Sequence, residues 1–364
     1  LHDALPIYST LKCLYKADRS TLTSLDFKDN LFLAFWNGDI KIIDLHTKED
    51  NIQDNNKEDN VEDDIQDNNI EENVKKNIED NNIQDKNKNK IYTSHIKDKN
   101  ISHNKKDTNT TMISFNLPYP ISKIKKYNNL IITDYKGYLY SYDINNIKYK
   151  TRIKSDAGII QILENYNNKI ILGGTNKRIE IHEQMTGGLL SYFNSGGRIF
   201  NSILKEEYLF LGLEDGIMEC YDLRNTSKPI IVRKQENMYK SMDIIYNGLE
   251  ESKILYGNVD GTIELKNINV EKSKEDIKYK INDDMDVMVN KIVVEDNMFY
   301  TGGSDGSVIQ WNVKSKDDNK WDKGNLLFKA NVAVHDAVLG DGTFIVGCSD
   351  INEDGNVEVI EIKK

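Results

Sequence analysis

The sequence predicts an all-β protein whose chain forms seven four-stranded units arranged in a ring, that is, a seven-bladed β-propeller. Three observations predict this fold. A pattern of apolar run, tight turn and alternating run occurs seven times. Its spacing suits a four-stranded blade, and an extra strand near the N-terminus can supply the strand that the last unit lacks.

The repeated pattern is typical of a β-hairpin. Two short runs with alternating apolar residues flank a turn, which in most units contains Asn or Asp followed by Gly. Because these residues tolerate positive φ angles, we expect primed turns. The third unit has Asn176-Lys177 at this place. The seven hairpins begin at Leu31, Leu130, Ile170, Leu209, Ile254, Phe299 and Phe344.

A further apolar run precedes each hairpin, and another strand follows it, which makes four strands in each unit. The preceding runs are Leu22–Phe27, Ile121–Tyr127, Ile159–Leu163, Ile199–Leu204, Met242–Tyr246, Val289–Val294 and Val332–Leu339. The mean spacing is about 42 residues, which matches the ~40–45 residues of a propeller blade. The seventh unit has no fourth strand, and we expect Thr10–Tyr15 to complete it and close the ring.

Two segments are left out of this count of repeats. Residues 1–7 match the translation of a sequencing-adapter oligonucleotide, and we interpret them as an artefact, the alternative being an ordinary N-terminal arm. Residues 48–110 form a low-complexity insert in the first blade, and positions 51–90 contain 12 Asn and no aromatic residue. This composition predicts disorder, as a solvated loop or an interaction tail. Residues 8–364 then form one domain, a propeller interrupted by the insert.

Composition excludes several classes of protein. The 48 basic and 59 acidic side chains give a net charge of −11, which argues against direct binding of nucleic acid. No apolar run is long enough to span a membrane. The three cysteines, Cys13, Cys220 and Cys348, lack the spacing of a zinc site or a disulfide framework. We therefore expect a reducing compartment, the nucleus or the cytoplasm.

No constellation of catalytic residues is found in the sequence. We interpret the histidines outside the two segments, His46, His182 and His335, as isolated, with no Glu or Cys at metal-ligand spacing. No glycine motif matches a phosphate-binding loop, and we expect no recurring polar cluster in the central channel. The sequence thus predicts a binding scaffold with no catalytic residue, no metal site and no cofactor.

The run Tyr221-Asp222-Leu223-Arg224 has two interpretations. Asp222 stands where WD repeats place the Asp of Trp-Asp, and Arg224 follows two residues later. This spacing occurs in propellers that act as substrate receptors of cullin-type ubiquitin ligases. It is also the spacing of a local Asp–Arg pair at a strand end, which contributes little to stability.

Several motifs resemble one family of WD-repeat propellers. They are Arg198-Ile-Phe-Asn-Ser202, Tyr221-Asp-Leu-Arg-Asn225, Val259-Asp-Gly261, Val289-Asn-Lys-Ile292, Thr301-Gly-Gly-Ser-Asp-Gly306 and Cys348-Ser-Asp350. Their order and spacing are similar to those of the mitotic-checkpoint family called budding uninhibited by benzimidazole. The messenger-RNA-export WD-repeat relatives of that family are a near alternative. The resemblance covers residues 190–362 and extends to 10–45 through Phe35-Trp36.

The resemblance implies a spindle-checkpoint or kinetochore component, located in the nucleus and cytoplasm. Such proteins bind linear motifs of checkpoint kinases or nucleoporins on the face that carries the hairpin turns, here called the hairpin face. Position by position, the peptide-binding residues would be Trp36, Arg198, Tyr239 and Lys240. The sequence has Met242 and Thr262 at two positions where the family carries arginines tied to phosphopeptide binding.

Tyr135 is a fifth candidate for peptide binding. Trp36 directly precedes Asn37-Gly38, and Tyr135 stands at the same place before Lys136-Gly137. Aromatic residues at adjacent blade tips suit a peptide anchor, since aromatic side chains dominate interface hot spots. The alternative is that each ring packs on the neighbouring blade.

Overall fold

The structure, a computed structural model, describes residues 10–17, 21–44, 102–103, 112–144, 148–268, 277–280, 287–296, 298–313, 324–340, 343–349 and 357–363. These residues belong to one compact unit, and the second unit, Thr47–Asp98, lies outside them. They form strands β1 to β29, numbered in chain order, in seven antiparallel sheets. The predicted all-β fold with seven blades is confirmed.

Each blade begins with an inner strand, which pairs with a second strand. The inner strands are β2 (Leu22–Phe27), β7 (Ile121–Lys126), β11 (Ile160–Tyr166), β15 (Ile199–Lys205), β19 (Tyr239–Ile245), β23 (Val289–Glu295) and β27 (Val334–Gly340). The second strands are β3 (Asn30–Phe35), β8 (Leu130–Asp134), β12 (Lys169–Gly174), β16 (Tyr208–Leu213), β20 (Lys253–Asn258), β24 (Met298–Gly303) and β28 (Thr343–Ser349).

A third strand and an outer strand complete each blade. The third strands are β4 (Asp39–Asp44), β9 (Tyr138–Asp143), β13 (Arg178–Glu183), β17 (Ile217–Asp222), β21 (Thr262–Asn267), β25 (Ser307–Asn312) and β29 (Val357–Lys363). The outer strands of blades one to six are β6 (Met112–Asn116), β10 (Lys148–Lys154), β14 (Leu189–Asn194), β18 (Ile231–Lys234), β22 (Ile277–Lys280) and β26 (Asn325–Lys329). A short 3-10 turn, Glu214–Gly216, joins β16 to β17.

The ring closes as the sequence predicts. Each inner strand contacts the inner strand of the next blade, from β2 round to β27 and back to β2. The seventh blade obtains its outer strand from the N-terminus, because β1 (Thr10–Ala17) pairs antiparallel with β29 from Thr10↔Lys363 to Ala17↔Val357. The chain thereby covers an edge that would otherwise be open to other chains.

The predicted insert connects the third and outer strands of blade one, since β4 ends at Asp44 and β6 begins at Met112. Within the insert, Ser102–His103 (β5) pairs with β6 as a fifth strand of this sheet. The rest of the insert and the artefact assigned to residues 1–7 lie outside the described residues.

The hairpin turns differ from the expected type. Type I′ turns require positive φ at both central residues and type II′ turns at the first one. In blades one, two, five and six, however, positive φ occurs only at the glycine, as at Gly38 and Gly306, whose N–H closes the turn as its fourth residue. Lys177 takes this place in blade three, and among the described turns only that of blade four has two such residues, Asp215 and Gly216. The Asn or Asp before the glycine serves another purpose. Its side chain accepts a hydrogen bond from the backbone two residues on, at 3.0 Å from Ser307 N to Asp305 Oδ1.

Adjacent blades pack closely because each second strand carries a small residue opposite the third residue of its inner strand. These residues are Ala34, Thr133, Gly173, Gly212, Gly257, Gly302 and Gly347. A Cβ added to Gly257 would lie 2.6 Å from Cγ1 of Val289 in the next blade, and one added to Gly302 would overlap Val334. The space left by these small residues is therefore filled by the following inner strand.

Glu180 on β13 holds the loop between blades two and three. Ser155 Oγ donates to Glu180 Oε2 at 2.8 Å, Asp156 N donates to Oε1 at 3.1 Å, and His182 Nε2 lies 3.0 Å from Oε2. His182 therefore has Glu180 as a hydrogen-bond partner, a contact that the sequence analysis did not indicate. Burial would raise the pKa of Glu180, but the hydrogen bonds of His182, Ser155 and Asp156 outweigh burial and lower the pKa to about 2.

Deletion of residues 1–17 tests ring closure. Removal of β1 exposes the edge of β29, so we expect a loss of about 3 kcal/mol or more in the free energy of unfolding and aggregation through that edge. Thermal melting and size-exclusion chromatography measure both effects. Deletion of residues 1–8 is the control, since it leaves β1 in place and should melt like the full chain. A protein without residues 1–17 that stays monomeric and melts normally would contradict the assignment.

The low pKa of Glu180 predicts a pH dependence of stability. The ionised carboxylate stabilises the fold fully above the pKa of the unfolded chain, about 4.5, and this contribution disappears as the pH falls towards 2. In Glu180→Gln the contribution is missing, so we expect a deficit of about 3 kcal/mol at pH 7. Urea unfolding from pH 7 to pH 3.5 should show the gap to the wild type narrowing below pH 4.5. A gap that stays constant would show that the charge of Glu180 does not stabilise the fold.

Candidate functional site

The hairpin face is built on one hydrogen bond that repeats in all seven blades. The residue directly after the second strand in blades one to six, or the last residue of that strand in blade seven, is here called the turn-first residue. It donates its N–H to the carbonyl of the residue that precedes the inner strand. The turn-first residues are Trp36, Tyr135, Thr175, Glu214, Val259, Ser304 and Ser349, with N···O distances of 2.9–3.1 Å. This bond gives the seven residues the same backbone position, while their side chains differ from blade to blade.

Trp36 and Tyr135 meet at the junction of blades one and two. Their ring centroids lie 4.6 Å apart with an interplanar angle of 69°, an edge-to-face contact. The Trp36 side chain nevertheless remains 45% exposed, and burial raises the pKa of the half-buried Tyr135. Trp36 therefore packs on its neighbour and still presents an aromatic surface to solvent, and its role as a peptide anchor stays a prediction.

A cavity of about 670 Å³ opens on the hairpin face at the centre of the ring. Its lining includes the second residue of five inner strands, among them Lys240, Asn290 and His335. Two exposed apolar side chains line it in blade five, Met238 at 66% exposure and Val259 at 40%. An apolar rim thus borders a polar and basic interior, an arrangement suited to binding.

The other three predicted binding residues lie in blades four and five. Lys240 is exposed and lines the cavity. Arg198 is exposed as well, and its Nε lies 3.8 Å from Glu214 Oε2. Tyr239 is only 3% exposed, and its hydroxyl donates to the carbonyl of Ile217 at 2.5 Å, so its ring lies beneath the face between blades four and five. Direct peptide binding by these residues stays a prediction.

The two positions where the resembling family carries arginine are uncharged and occupied by local contacts. Met242 is buried in an apolar cluster with Tyr239 and Tyr256. Thr262 Oγ1 donates to Asp260 Oδ1 at 2.6 Å and accepts from Asn258 Nδ2 at 2.7 Å, which holds the turn of blade five. Neither side chain is a basic group for a phosphate.

The central channel contains a charged cluster that the sequence analysis did not expect. Its members are the third or fifth residues of inner strands: Asp26, Lys123, Lys125, Glu164, Asp243, Lys291 and Asp336. Three of the carboxylates join neighbouring blades by accepting backbone N–H bonds: Asp26 from Lys126 at 2.6 Å, Asp243 from Val294 at 2.8 Å and Asp336 from Leu25 at 3.1 Å. The expectation of no recurring polar group in the channel is therefore wrong.

The charges in the channel influence one another strongly because they are buried. Burial lowers the pKa of Lys123, whereas the charge of Glu164 raises the pKa of Lys125. Burial by itself would raise the pKa of Asp336, but the ammonium groups of Lys291 and Lys123 outweigh burial and lower it. Lys291 Nζ lies 2.6 Å from Asp336 Oδ1. These carboxylates accept hydrogen bonds or pair with lysine, and through these contacts they connect neighbouring blades.

The Asp222–Arg224 pair lies at the end of β17, close to the turn that follows β15. Arg224 Nη2 and Nε contact the Asp222 carboxylate at 2.6 and 2.9 Å, and Arg224 Nη1 lies 2.7 Å from Glu207 Oε1. The interpretation as a local pair is confirmed by these contacts. An exposed pair of this kind contributes little to stability.

The described part of the chain has neither a cluster of metal-binding side chains nor a helix that could span a membrane. There, no three His, Cys, Asp or Glu side chains are grouped so that they could hold a metal ion. No helix among the same residues combines the length and the apolar character needed to cross a bilayer.

Comparison with known proteins supports the fold and does not identify a family. No family model matches the sequence, and no curated protein matches it. Among solved structures, 1556 chains match, so the fold by itself does not narrow the function. One of them is the crystal structure of the computationally designed Ika8 protein, which is 13% identical with a TM-score of 0.55 over 94% of this chain and 96% of that chain. The chain is a seven-bladed β-propeller, a fold that generally serves as a non-catalytic scaffold for protein interactions.

Proposed function

We propose that this propeller binds a linear peptide segment of a partner protein across its hairpin face. The observation that carries the proposal is the group of exposed apolar side chains on that face: Trp36 in blade one, and Met238 and Val259 in blade five beside the central cavity. Exposed aromatic and methionine side chains are enriched at protein interfaces.

The chemistry of the face favours a peptide with both apolar and acidic residues. Trp36 and Tyr135 offer an aromatic surface, and Lys240 is an exposed cation with no ion pair among the residues that the structure describes. Charge-assisted hydrogen bonds to such a cation are stronger than neutral ones. An extended peptide that places an apolar side chain on Trp36 and a carboxylate near Lys240 would use both features.

We further propose, on the resemblance of the sequence motifs, that the partner belongs to the spindle checkpoint and that the protein acts at kinetochores. Affinity purification or proximity labelling from dividing cells tests this. Recovery of a checkpoint kinase supports the proposal. Recovery of nucleoporins in its place would favour the messenger-RNA-export alternative.

The cullin-receptor alternative has a separate test. Arg224 is held by Asp222 and Glu207, away from the cavity on the hairpin face. Arg224→Ala should therefore leave recovery of the partner unchanged. Loss of a ubiquitin-ligase adaptor from the purified material on this substitution would favour the cullin alternative.

Trp36→Ala tests the peptide anchor. Removal of the exposed ring should weaken partner binding by about 2 kcal/mol or more, as expected for an aromatic hot spot. The fold should be retained, which circular dichroism and thermal melting check. Tyr192→Ala is the matched control, because Tyr192 is an aromatic residue of similar exposure on an outer strand. If Trp36→Ala binds the partner normally, Trp36 is not an anchor.

A further inference from the structure

The central cavity contains more basic groups than its acidic groups neutralise. Three lysines and one histidine line it: Lys123, Lys240, Lys291 and His335. Lys291 is compensated, since its Nζ lies 2.6 Å from Asp336 Oδ1. No hydrogen bond or ion pair is formed by the ammonium groups of Lys123 and Lys240 with any residue that the structure describes.

The carboxylates of the lining do not remove this excess. Glu214 is shared between two cations outside the cavity, at 3.8 Å from Arg198 Nε and 4.0 Å from Lys177 Nζ. Asp215 is exposed on the turn of blade four, where water screens its charge. Lys123, by contrast, lies deep in the channel, and burial there lowers its pKa. Asp336 and Glu164 act on its charge without forming an ion pair with it, and a buried ammonium group without a direct partner is costly unless an anion accompanies it.

His335 supplies an additional polar atom without a partner. Its Nε2 is buried and makes no hydrogen bond among the described residues. Asp336 and Lys240 both act electrostatically on the ring of His335, which places them near it. A buried polar atom without a hydrogen bond costs free energy in a native protein and calls for an explanation.

We propose that the cavity binds a dianionic oxyanion, of the class of inorganic phosphate, sulfate or a small phosphate ester. Lys123 and Lys240 supply two charges that match a dianion, and the Nε2–H tautomer of His335 supplies a third donor. The volume of about 670 Å³ lies within the range of small-molecule sites and leaves room for an organic group on the phosphate. The site shares Lys240 with the proposed peptide surface, but Trp36 and Tyr135 do not line the cavity, so phosphate binding can be tested apart from peptide binding.

The test uses the full chain and inorganic phosphate, titrated calorimetrically at pH 7.5 with sodium chloride keeping the ionic strength constant. We expect saturable binding with one site. Lys123→Met and Lys240→Met should each weaken phosphate binding at least about tenfold, since each removes a charge-assisted hydrogen bond. Lys136→Met is the matched control, because Lys136 is an exposed lysine on the hairpin turn of blade two, outside the cavity.

Stability without phosphate gives an independent readout. If burial destabilises the charge of Lys123 by more than Asp336 and Glu164 stabilise it, Lys123→Met should melt at a temperature equal to or above that of the wild type. Lys240 is exposed, so Lys240→Met keeps the test decisive even if Lys123→Met folds poorly. A second titration with N-acetyl-glutamate distinguishes a carboxylate of a peptide from a free dianion.

The titrations distinguish a dianion site from a carboxylate site and from a cavity that binds neither. Saturable phosphate binding that both cavity variants weaken, and that Lys136→Met does not, supports the proposal. Binding of N-acetyl-glutamate without binding of phosphate would contradict a dianion site. Heat signals that do not saturate, or that are equal in all four proteins, would show that the cavity has no oxyanion site.

Discussion

Ring closure is the constraint on which the rest of this structure depends. A blade is a sheet with two faces, and each face is covered only when a neighbouring blade lies against it. In this chain the inner strands form a complete cycle of contacts, and β1 supplies the last strand of blade seven. The close fit of Gly257 and Gly302 against Val289 and Val334 requires that every inner strand keep its place relative to the preceding blade.

The charged groups of the channel follow from the same constraint. Asp26, Asp243 and Asp336 accept N–H bonds from the next blade, so each carboxylate connects two blades at the centre of the ring. A carboxylate with such bonds and a nearby lysine can be tolerated in a buried position. Lys291 pairs with Asp336, whereas Lys123, deep in the channel, and Lys240, exposed at the cavity, have no ion pair among the described residues.

The fold could be predicted from the sequence because its determinants are local. The turn at Asn37-Gly38 and the alternation on either side mark a hairpin without reference to distant residues, and the extra strand near Cys13 suggests closure. The channel could not be predicted in this way. In Ile121–Lys126, Lys123 and Lys125 have the pattern of a solvent-facing edge, and only the ring brings them to Asp336 and Glu164.

The burial of Tyr239 could not be predicted either, because it results from an irregularity of the backbone. Every inner strand has a bulge between its first and third residues, as between Tyr239 and Ser241. The bulge interrupts the alternation, so the first residue points into the core and the second, Lys240, lies at the cavity. Sequence similarity grouped the two residues as neighbours on one surface. Both residues line the cavity, but Tyr239 is buried there and only Lys240 is exposed.

The hairpin face uses one backbone arrangement to present seven side chains of six residue types. The repeated hydrogen bond fixes the turn-first residues, so Trp36, Glu214 and Val259 differ in chemistry and not in backbone setting. A linear peptide that crosses this face meets aromatic, acidic and apolar positions in a defined order. The order of these positions, and no single residue, would give the binding its specificity.

The most direct test of peptide binding on the hairpin face is hydrogen–deuterium exchange of the full chain, free and bound to the partner recovered from cells. The account predicts slower exchange in the bound state at the turns of blades one and five, residues 36–38 and 259–261, and at residues 238–240. Exchange should be unchanged in the connections at the opposite end of the ring, such as residues 206–207 and 223–227. Protection confined to that opposite end or to the outer strands would contradict the account.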